Sequence, residues 1–242
     1  KIFTAAAALE TLGKNYQYKT QIALDKNLYI FSNGDPTLGS WRYDGYKPEH
    51  FISKIIETLK SRNIKEIPGD LVIDDTYFDF QKIPGGWPYN DIGNYYGAGV
   101  WGVNWRENQF DINTFGKDFK NININLEGVH FVNDARTEGT SDRSIIFTTP
   151  YNNVAHITGT LPAKNITISG ASPNPPKQLA LEIVAELKKQ NIAFNGKMII
   201  NSERLIEGQN PLAFPKNKVI LEYLSPTLDK MVFWFLKKSI NF

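Results

Sequence analysis

The chain has 242 residues, a formal net charge of +2, 41% hydrophobic residues and no cysteine. This length fits one large domain or two smaller ones, and the balanced composition excludes wholesale disorder and long coiled coils. Near-neutral charge without a basic, aromatic-rich stripe argues against nucleic acid as a partner. The absence of cysteine excludes disulfides and thiolate metal sites, and the longest apolar stretch, residues 3–9, is too short for a membrane span.

Both ends of the chain predict helices. Alanine and leucine dominate the first residues, and Gly13 is placed to end a helix there. Near the other end, Ser225 and Pro226 predict an N-cap and a first turn, before an apolar face formed by Leu228, Met231, Val232, Phe235 and Leu236. Since the first helix begins without a capping residue and the sequence stops soon after the last, we expect a fragment of a longer protein.

The first half of the chain alternates between strand and helix patterns. Residues 18–23, 28–31 and 70–75 predict strands, and residues 48–61 predict a helix because their apolar side chains recur at helical spacing. Strand, helix and strand in this order predict a small β-α-β unit. Residues 85–102 are rich in glycine, tryptophan and tyrosine and predict a long loop.

The second half begins with strand patterns and then changes character. Strands are predicted at residues 110–126, 144–149, 154–160 and 166–169. A proline-rich break then precedes a helix predicted at residues 177–190. The change in composition predicts a domain boundary near residues 165–171.

Several residue patterns suggest chemistry that their context does not support. Residues 97–102 spell G-x-G-x-x-G, but neither a strand before them nor a helix after them is predicted, so a dinucleotide site is disfavoured. The three histidines are too widely spaced for a short metal-binding motif, and no metal site or cofactor is predicted. Three acidic residues are interpreted as solvated strand ends and turns rather than paired acid/base groups: Asp70, Asp74 and Asp75. For Asp91, beside Trp87 in the aromatic loop, ligand recognition and turn capping both remain open.

Six segments carry a more specific signal in combination: residues 1–9 (KIFTAAAAL), 34–38 (GDPTL), 69–78 (GDLVIDDTYF), 86–91 (GWPYND), 158–162 (TGTLP) and 237–241 (KKSIN). In this order they resemble the low-molecular-mass penicillin-binding proteins with D-alanyl-D-alanine carboxypeptidase and endopeptidase activity. Within that family they are similar to the subgroup with a large insertion between the first two active-site motifs.

The resemblance implies three active-site motifs, S-x-x-K, S-x-N and K-T-G. Lys1 corresponds to the lysine of S-x-x-K, and Ser239 with Asn241 corresponds to S-x-N. No serine of the chain has a lysine three positions later, and no K-T-G follows the S-x-N segment. We therefore expect the nucleophilic serine three residues before Lys1, and we expect the chain as given to be an incomplete catalyst.

A serine hydroxyl attacks an amide poorly until a base removes its proton, and a lysine can be that base when its pKa is lowered. The resemblance implies that Lys1 is this base, that Ser239 relays a proton to the leaving D-alanine, and that Asn241 binds the substrate backbone and helps to hold Lys1. Water would hydrolyse the acyl-enzyme, and a β-lactam would acylate the same serine. No cofactor is implied.

The resemblance also gives the aromatic loop a role. Asp91 would pair with the free amino group of the diamino acid in a peptidoglycan stem peptide, and Trp87 and Tyr96 would form the walls around its aliphatic part. The alternative is that this loop only braces a domain junction.

The predicted fold class is mixed α/β (α+β). Residues 1–25 and 167–242 are expected to be parts of a transpeptidase-like catalytic domain, interrupted by an inserted α+β region at residues 26–166. The predicted partners are stem peptides ending in D-Ala-D-Ala and β-lactams, in the periplasm or cell envelope of a bacterium. Two alternatives remain: a catalytically inactive peptidoglycan-binding relative, and an interaction module without a ligand.

Overall fold

The structure, a computed structural model, describes residues 1–240. The first half contains these elements in chain order: α1 (Ile2–Leu12), β1 (Lys19–Leu24), β2 (Leu28–Ser32), α2 (Pro48–Ser61), β3 (Glu66–Ile67), β4 (Leu71–Asp74), α3 (Tyr89–Ile92), β5 (Gln109–Phe115) and β6 (Asp118–Ile122). The second half contains β7 (His130–Asn133), β8 (Arg136–Thr137), β9 (Ile145–Phe147), β10 (Val154–Thr158), β11 (Thr160–Leu161), β12 (Asn165–Ala171), α4 (Pro175–Lys189), β13 (Ala193–Phe194), β14 (Met198–Ile200), α5 (Asn201–Ile206), β15 (Val219–Leu224) and α6 (Leu228–Lys237).

The largest sheet has five strands in the order β14-β4-β2-β1-β15. β2 and β14 both run parallel to β4, and β1 is antiparallel to both of its neighbours. Helices α2 and α4 bury their apolar faces in the core of this sheet, with Phe51, Leu59 and Leu179 fully enclosed. The parallel pairing of β2 with β4 across α2 confirms the predicted β-α-β unit.

A second, β-rich group of residues packs around its own core. Its strands form three small sheets, β12-β5-β6, β7-β10-β9 and β11-β8. Alternate side chains of β5 and β10 point inward, among them Phe110, Ile112 and Ile157. This period-two burial is the pattern that predicted strands in this part of the chain.

Helices α1 and α6 contact each other. Ile2 and Phe3 at the start of α1 are 74% and 90% exposed. The predicted start of α6 at Ser225 and Pro226 is wrong, because the helix begins at Leu228 with Thr227 as N-cap. The Ser225 hydroxyl instead accepts a hydrogen bond from the Tyr18 main-chain N–H at 2.8 Å, which ties the chain before α6 to the segment before β1.

The grouping of strands differs from the predicted domain boundaries. The boundary between residues 25 and 26 falls in the turn that joins β1 to β2, and these two strands are paired along their length. The boundary between residues 166 and 167 falls inside β12, which pairs with β5 over all its residues. Strand pairing joins segments that are distant in sequence, so composition does not reveal it. Which of these groups belong to a transpeptidase-like domain stays a prediction.

The mixed α/β fold class predicted from the sequence is confirmed. None of the helices within residues 1–240 is both long enough and apolar enough to cross a bilayer.

Candidate functional site

The contact between α1 and α6 brings Lys1 and the segment after α6 together. The Lys1 Nζ donates hydrogen bonds to the main-chain oxygens of Ser239 and Ile240, the second at 2.9 Å. Two predicted catalytic residues therefore meet, although 238 positions separate them in sequence. The contact reaches the main chain of Ser239, and no hydrogen bond joins Lys1 to the Ser239 hydroxyl within residues 1–240.

Two further features of Lys1 bear on its chemistry. Its ammonium lies 5.3 Å from the centre of the Phe235 ring of α6. Partial removal from water lowers the pKa of Lys1 below its ordinary value. Desolvation favours the neutral amine, which is the form that can accept a proton from a hydroxyl.

Ser239 lines a cavity of about 220 Å³. The backbone of Ser239 adopts a left-handed conformation with φ 53°, directly after Lys238 ends α6. Eight residues line the cavity: Arg42, Tyr95, Tyr96, Glu107, Gln109, Lys238, Ser239 and Ile240. Asn241, the third predicted catalytic residue, lies outside the described residues.

The aromatic loop brings two of its three predicted substrate-binding residues together. The short helix α3 presents Asp91, whose carboxylate accepts a hydrogen bond from the Tyr96 hydroxyl. Burial and, after it, the negative charge and hydrogen bond of Asp91 raise the pKa of Tyr96. A Cβ atom at Gly97 would overlap the main-chain oxygen of Asp91, so glycine is required where this loop folds back. Tyr96 lines the cavity of Ser239, whereas Trp87 is 40% exposed and neither Trp87 nor Asp91 lines that cavity.

The sequence analysis missed Arg42 and Glu107, which line the same cavity. Glu107 sits in a turn of three consecutive non-glycine residues with φ near 53–54°, from Arg106 to Asn108. The Nε atom of Arg42 donates to both carboxylate oxygens of Glu107 at 2.9 Å, and the Ser40 hydroxyl donates to the same carboxylate. Neither periodicity nor a spacing motif marks these residues, because 65 positions separate Arg42 from Glu107.

The other acidic candidates hold backbone in place. The Asp70 carboxylate accepts the N–H of Lys197, and the Asp74 carboxylate accepts the Thr76 hydroxyl at 2.7 Å. Asp75 is fully buried and accepts the N–H of Ser202 at 2.9 Å. The interpretation of Asp74 and Asp75 as solvated is wrong, since both are buried where β4 ends against α5.

The geometry of residues 97–102 bears on the dinucleotide motif noted in the sequence. The G-x-G-x-x-G segment, residues 97–102, follows a short 3₁₀ turn and leads into another loop, so the strand and helix of a dinucleotide site are absent there. Within the described residues, no group of three or more His, Asp or Glu side chains is arranged to hold a metal ion.

The fold and the site together define the class. The structure is a mixed α/β protein in which a lysine at the start of one helix meets the serine segment after another. The D-Ala-D-Ala carboxypeptidase 3 (S13) family matches residues 1–241. The chain belongs to this family, which confirms the resemblance found in the sequence.

Relatives and solved structures agree with this assignment. The D-alanyl-D-alanine carboxypeptidase DacB of Haemophilus influenzae is 25% identical over 262 residues, covering 100% of this chain and 50% of that protein. The D-alanyl-D-alanine carboxypeptidase of Actinomadura sp. (strain R39) is 32% identical over 96 residues, covering 36% of this chain and 16% of that protein. The chain thus spans half or less of the length of these relatives.

The crystal structure of penicillin binding protein 4 (dacB) from H. influenzae matches with a TM-score of 0.72 and 25% identity, covering 99% of this chain and 53% of that one. A second structure of that protein, complexed with a novel β-lactam, matches with a TM-score of 0.62 and 22% identity, covering 99% of this chain and 51% of that one. The likeness extends over nearly all of the chain described here.

Proposed function

We propose that this protein is a serine-type D-alanyl-D-alanine carboxypeptidase and endopeptidase that acts on peptidoglycan stem peptides through an acyl-enzyme, and that it binds β-lactams. We further propose that it works in the periplasm or cell envelope of a bacterium, where peptidoglycan is found.

One observation carries the proposal. In a chain whose family match runs over residues 1–241, the Lys1 Nζ meets the main-chain oxygens of Ser239 and Ile240. By the resemblance, Lys1 corresponds to the lysine of S-x-x-K and Ser239 to the serine of S-x-N. Their convergence supports a site in which one lysine and one serine hydroxyl serve the same nucleophile.

In the proposed mechanism, Lys1 in its neutral form accepts the proton of the nucleophilic serine expected three residues earlier. The serine oxygen attacks the carbonyl carbon of the D-Ala-D-Ala bond. The tetrahedral intermediate collapses as Ser239 passes its hydroxyl proton to the leaving amine and takes the proton held by Lys1 in its place, which leaves Lys1 neutral again. Water then attacks the acyl-enzyme, Lys1 takes a proton from that water, and the acyl–serine bond breaks as Lys1 returns this proton to the serine oxygen. The lowered pKa of Lys1 favours the neutral form that both steps need.

The aromatic loop is proposed to recognise the diamino acid of the stem peptide. Asp91 would pair with its ammonium group, while the rings of Trp87 and Tyr96 would contact its methylene carbons. The hydrogen bond between Asp91 and Tyr96 supports this role, because it fixes the carboxylate beside a ring that lines the cavity of Ser239.

The test uses the intact gene product, incubated with labelled penicillin and, separately, with a diacyl-D-Ala-D-Ala peptide. We expect covalent labelling and release of D-alanine, and we expect unlabelled penicillin to block both. Stem-peptide binding without labelling or release of D-alanine would overturn the proposed enzymatic activity and favour the inactive peptidoglycan-binding relative. Failure to bind either ligand in calorimetry would instead favour the interaction module.

A further inference from the structure

Arg42 is fixed along one edge of its guanidinium group. Its Nε donates to both carboxylate oxygens of Glu107, and the side chains of the two residues are 21% and 4% exposed. Its main-chain N–H bonds the Ser40 hydroxyl at 3.2 Å, and its guanidinium lies 5.3 Å from the Trp41 ring. The side chain is therefore held in one orientation before any ligand arrives.

The opposite edge of the guanidinium group keeps its hydrogen-bonding capacity. Within the part of the chain that the structure describes, the side-chain hydrogen bonds of Arg42 involve Nε alone. The two terminal NH₂ groups thus retain four N–H donors, next to the cavity that Arg42 lines. A guanidinium fork of this kind fits a carboxylate with two parallel hydrogen bonds.

The charges around the cavity favour an anion. Three of its lining residues are charged: Arg42, Glu107 and Lys238. Glu107 is already paired with Arg42, so Lys238 leaves an excess of one positive charge along the wall. The nearby Asp111 carboxylate is occupied by hydrogen bonds from Gln109 and Ser169, and Asp91 pairs with the Tyr96 hydroxyl.

The backbone that carries Glu107 is strained and heavily supported. Three successive left-handed, non-glycine residues are unfavourable and persist only where the surroundings hold them. Here Asn108 donates to the Asn104 side chain at 2.7 Å, and Arg106 makes two hydrogen bonds to Glu182. Such strain concentrates at ligand sites, and its result here is a carboxylate that orients Arg42.

From this geometry we infer that Arg42 binds a carboxylate of the stem peptide in the cavity beside Ser239, with Glu107 as its positioning residue. The inference rests on the proposed function for the nature of the substrate. A stem peptide offers two such carboxylates: the one on the side chain of a meso-diaminopimelate residue and the one at its D-alanine terminus. Because the guanidinium group would bind either carboxylate in the same way, the peptides used in the experiment remove each carboxylate separately.

Binding is measured by calorimetry on the intact gene product carrying Lys1→Ala, which slows turnover of the ligand about a hundredfold or more. The probes are four pentapeptides ending in D-Ala-D-Ala, with meso-diaminopimelate or L-lysine at the third position and with a free or amidated C-terminus. Arg42→Gln is compared with Arg136→Gln, which removes an exposed arginine from β8. Two peptides that differ only in the recognised carboxylate form a matched pair, and the parent should bind the one that carries it more tightly. We expect Arg42→Gln to lower the affinity for that peptide about tenfold or more, so that both peptides of the pair bind equally.

Two further variants guard against misfolding, because Arg42→Gln leaves the buried Glu107 carboxylate without its cation. Arg42→Lys keeps a positive charge but loses the fork, and the double change Arg42→Gln/Glu107→Gln removes both charges. Each folded Arg42 variant should bind the two peptides of the same pair with equal affinity, whereas Arg136→Gln should still prefer the peptide with the recognised carboxylate. Folded Arg42 variants that discriminate as the parent does in both pairs would overturn the inference.

The outcome is separable from that of the proposed function, which is judged by penicillin labelling of protein with Lys1 intact. Labelling by penicillin, together with Arg42 variants that still discriminate between the matched peptides, would refute the Arg42 inference alone. Carboxylate-dependent binding without labelling would refute the proposed enzymatic activity and leave Arg42 as a recognition residue. Binding of none of the four peptides would sink both.

Discussion

The Nζ atom of Lys1 lies 2.9 Å from the main-chain oxygen of Ile240, a residue 239 positions later. This hydrogen bond links the first residue of the chain to the segment that follows α6. The contact between α1 and α6 brings the two residues together, although helices α2 to α5 and all the strands lie between them in sequence. The proposed catalytic chemistry depends on this one junction.

Replacement of Lys1 tests the proposed general base. In the intact gene product, Lys1→Ala should slow acylation by labelled penicillin about a hundredfold or more, because general-base catalysis contributes at least that factor. Lys14→Ala, which removes an exposed lysine just after α1, should leave the rate unchanged. Acylation at the parental rate in Lys1→Ala would contradict the assigned role.

Asp91→Ala tests recognition of the diamino acid. We expect kcat/KM for a diaminopimelate-bearing peptide to fall about tenfold or more, through loss of a charge-assisted hydrogen bond to the ammonium group. For a simple acyl-D-Ala-D-Ala mimic without that group, the change should be small. Asp118→Ala, which removes an exposed carboxylate from β6, serves as the control. Equal losses on both peptides would refute recognition and favour a bracing role for the loop.

Asp35 should make folding stability depend on pH. The carboxyl is fully buried, and this burial raises its pKa from 3.8 to about 6 despite hydrogen bonds from Thr37. Between these values the folded chain keeps a proton that the unfolded chain has lost. The free energy of unfolding contributed by this group therefore falls as pH rises from about 4 to about 6, by about 3 kcal/mol in total.

Asp35→Asn removes this titration and keeps an oxygen that can accept from Thr37. Urea unfolding at a series of pH values from about 4 to about 7 should show a smaller loss of stability in the variant than in the parent. Parallel curves for the two proteins across this range would show that Asp35 does not carry the effect.

Gly97→Ala tests the close approach that shapes the aromatic loop. The added Cβ would overlap the main-chain oxygen of Asp91, so we expect a loss of about 1–3 kcal/mol in stability and a displaced Asp91. Gly85→Ala adds the same methyl group in the same loop, where nothing lies within 4 Å and φ is not positive. Thermal unfolding of the two variants measures the difference, and equal melting temperatures would argue against the contact.

Local sequence predicted most of the helices and several strands. Apolar spacing placed α2 at its observed bounds, and Gly13 ends α1 with φ 83° as expected. The start of α6 was misplaced because Ser225 looks like an N-cap in isolation, whereas its hydroxyl bonds the strand segment at Tyr18. A serine caps a helix only when its side chain is free to accept from the first turn, and the Ser225 hydroxyl is taken by a residue from the other end of the chain.

The six short segments were sufficient to identify the family. Each segment alone is a weak signal, but all six in the same order are specific. They also placed Lys1 and Ser239 in roles that require proximity. Sequence alone therefore determined four of the helices (α1, α2, α4 and, apart from its start, α6), the β-α-β unit and the family. Only the tertiary structure decided that β1, β2, β4, β14 and β15 share one sheet, and that Arg42 and Glu107 stand beside Ser239. Local propensity acts over a few residues, whereas strand pairing and a buried ion pair join groups that the chain keeps far apart until it folds.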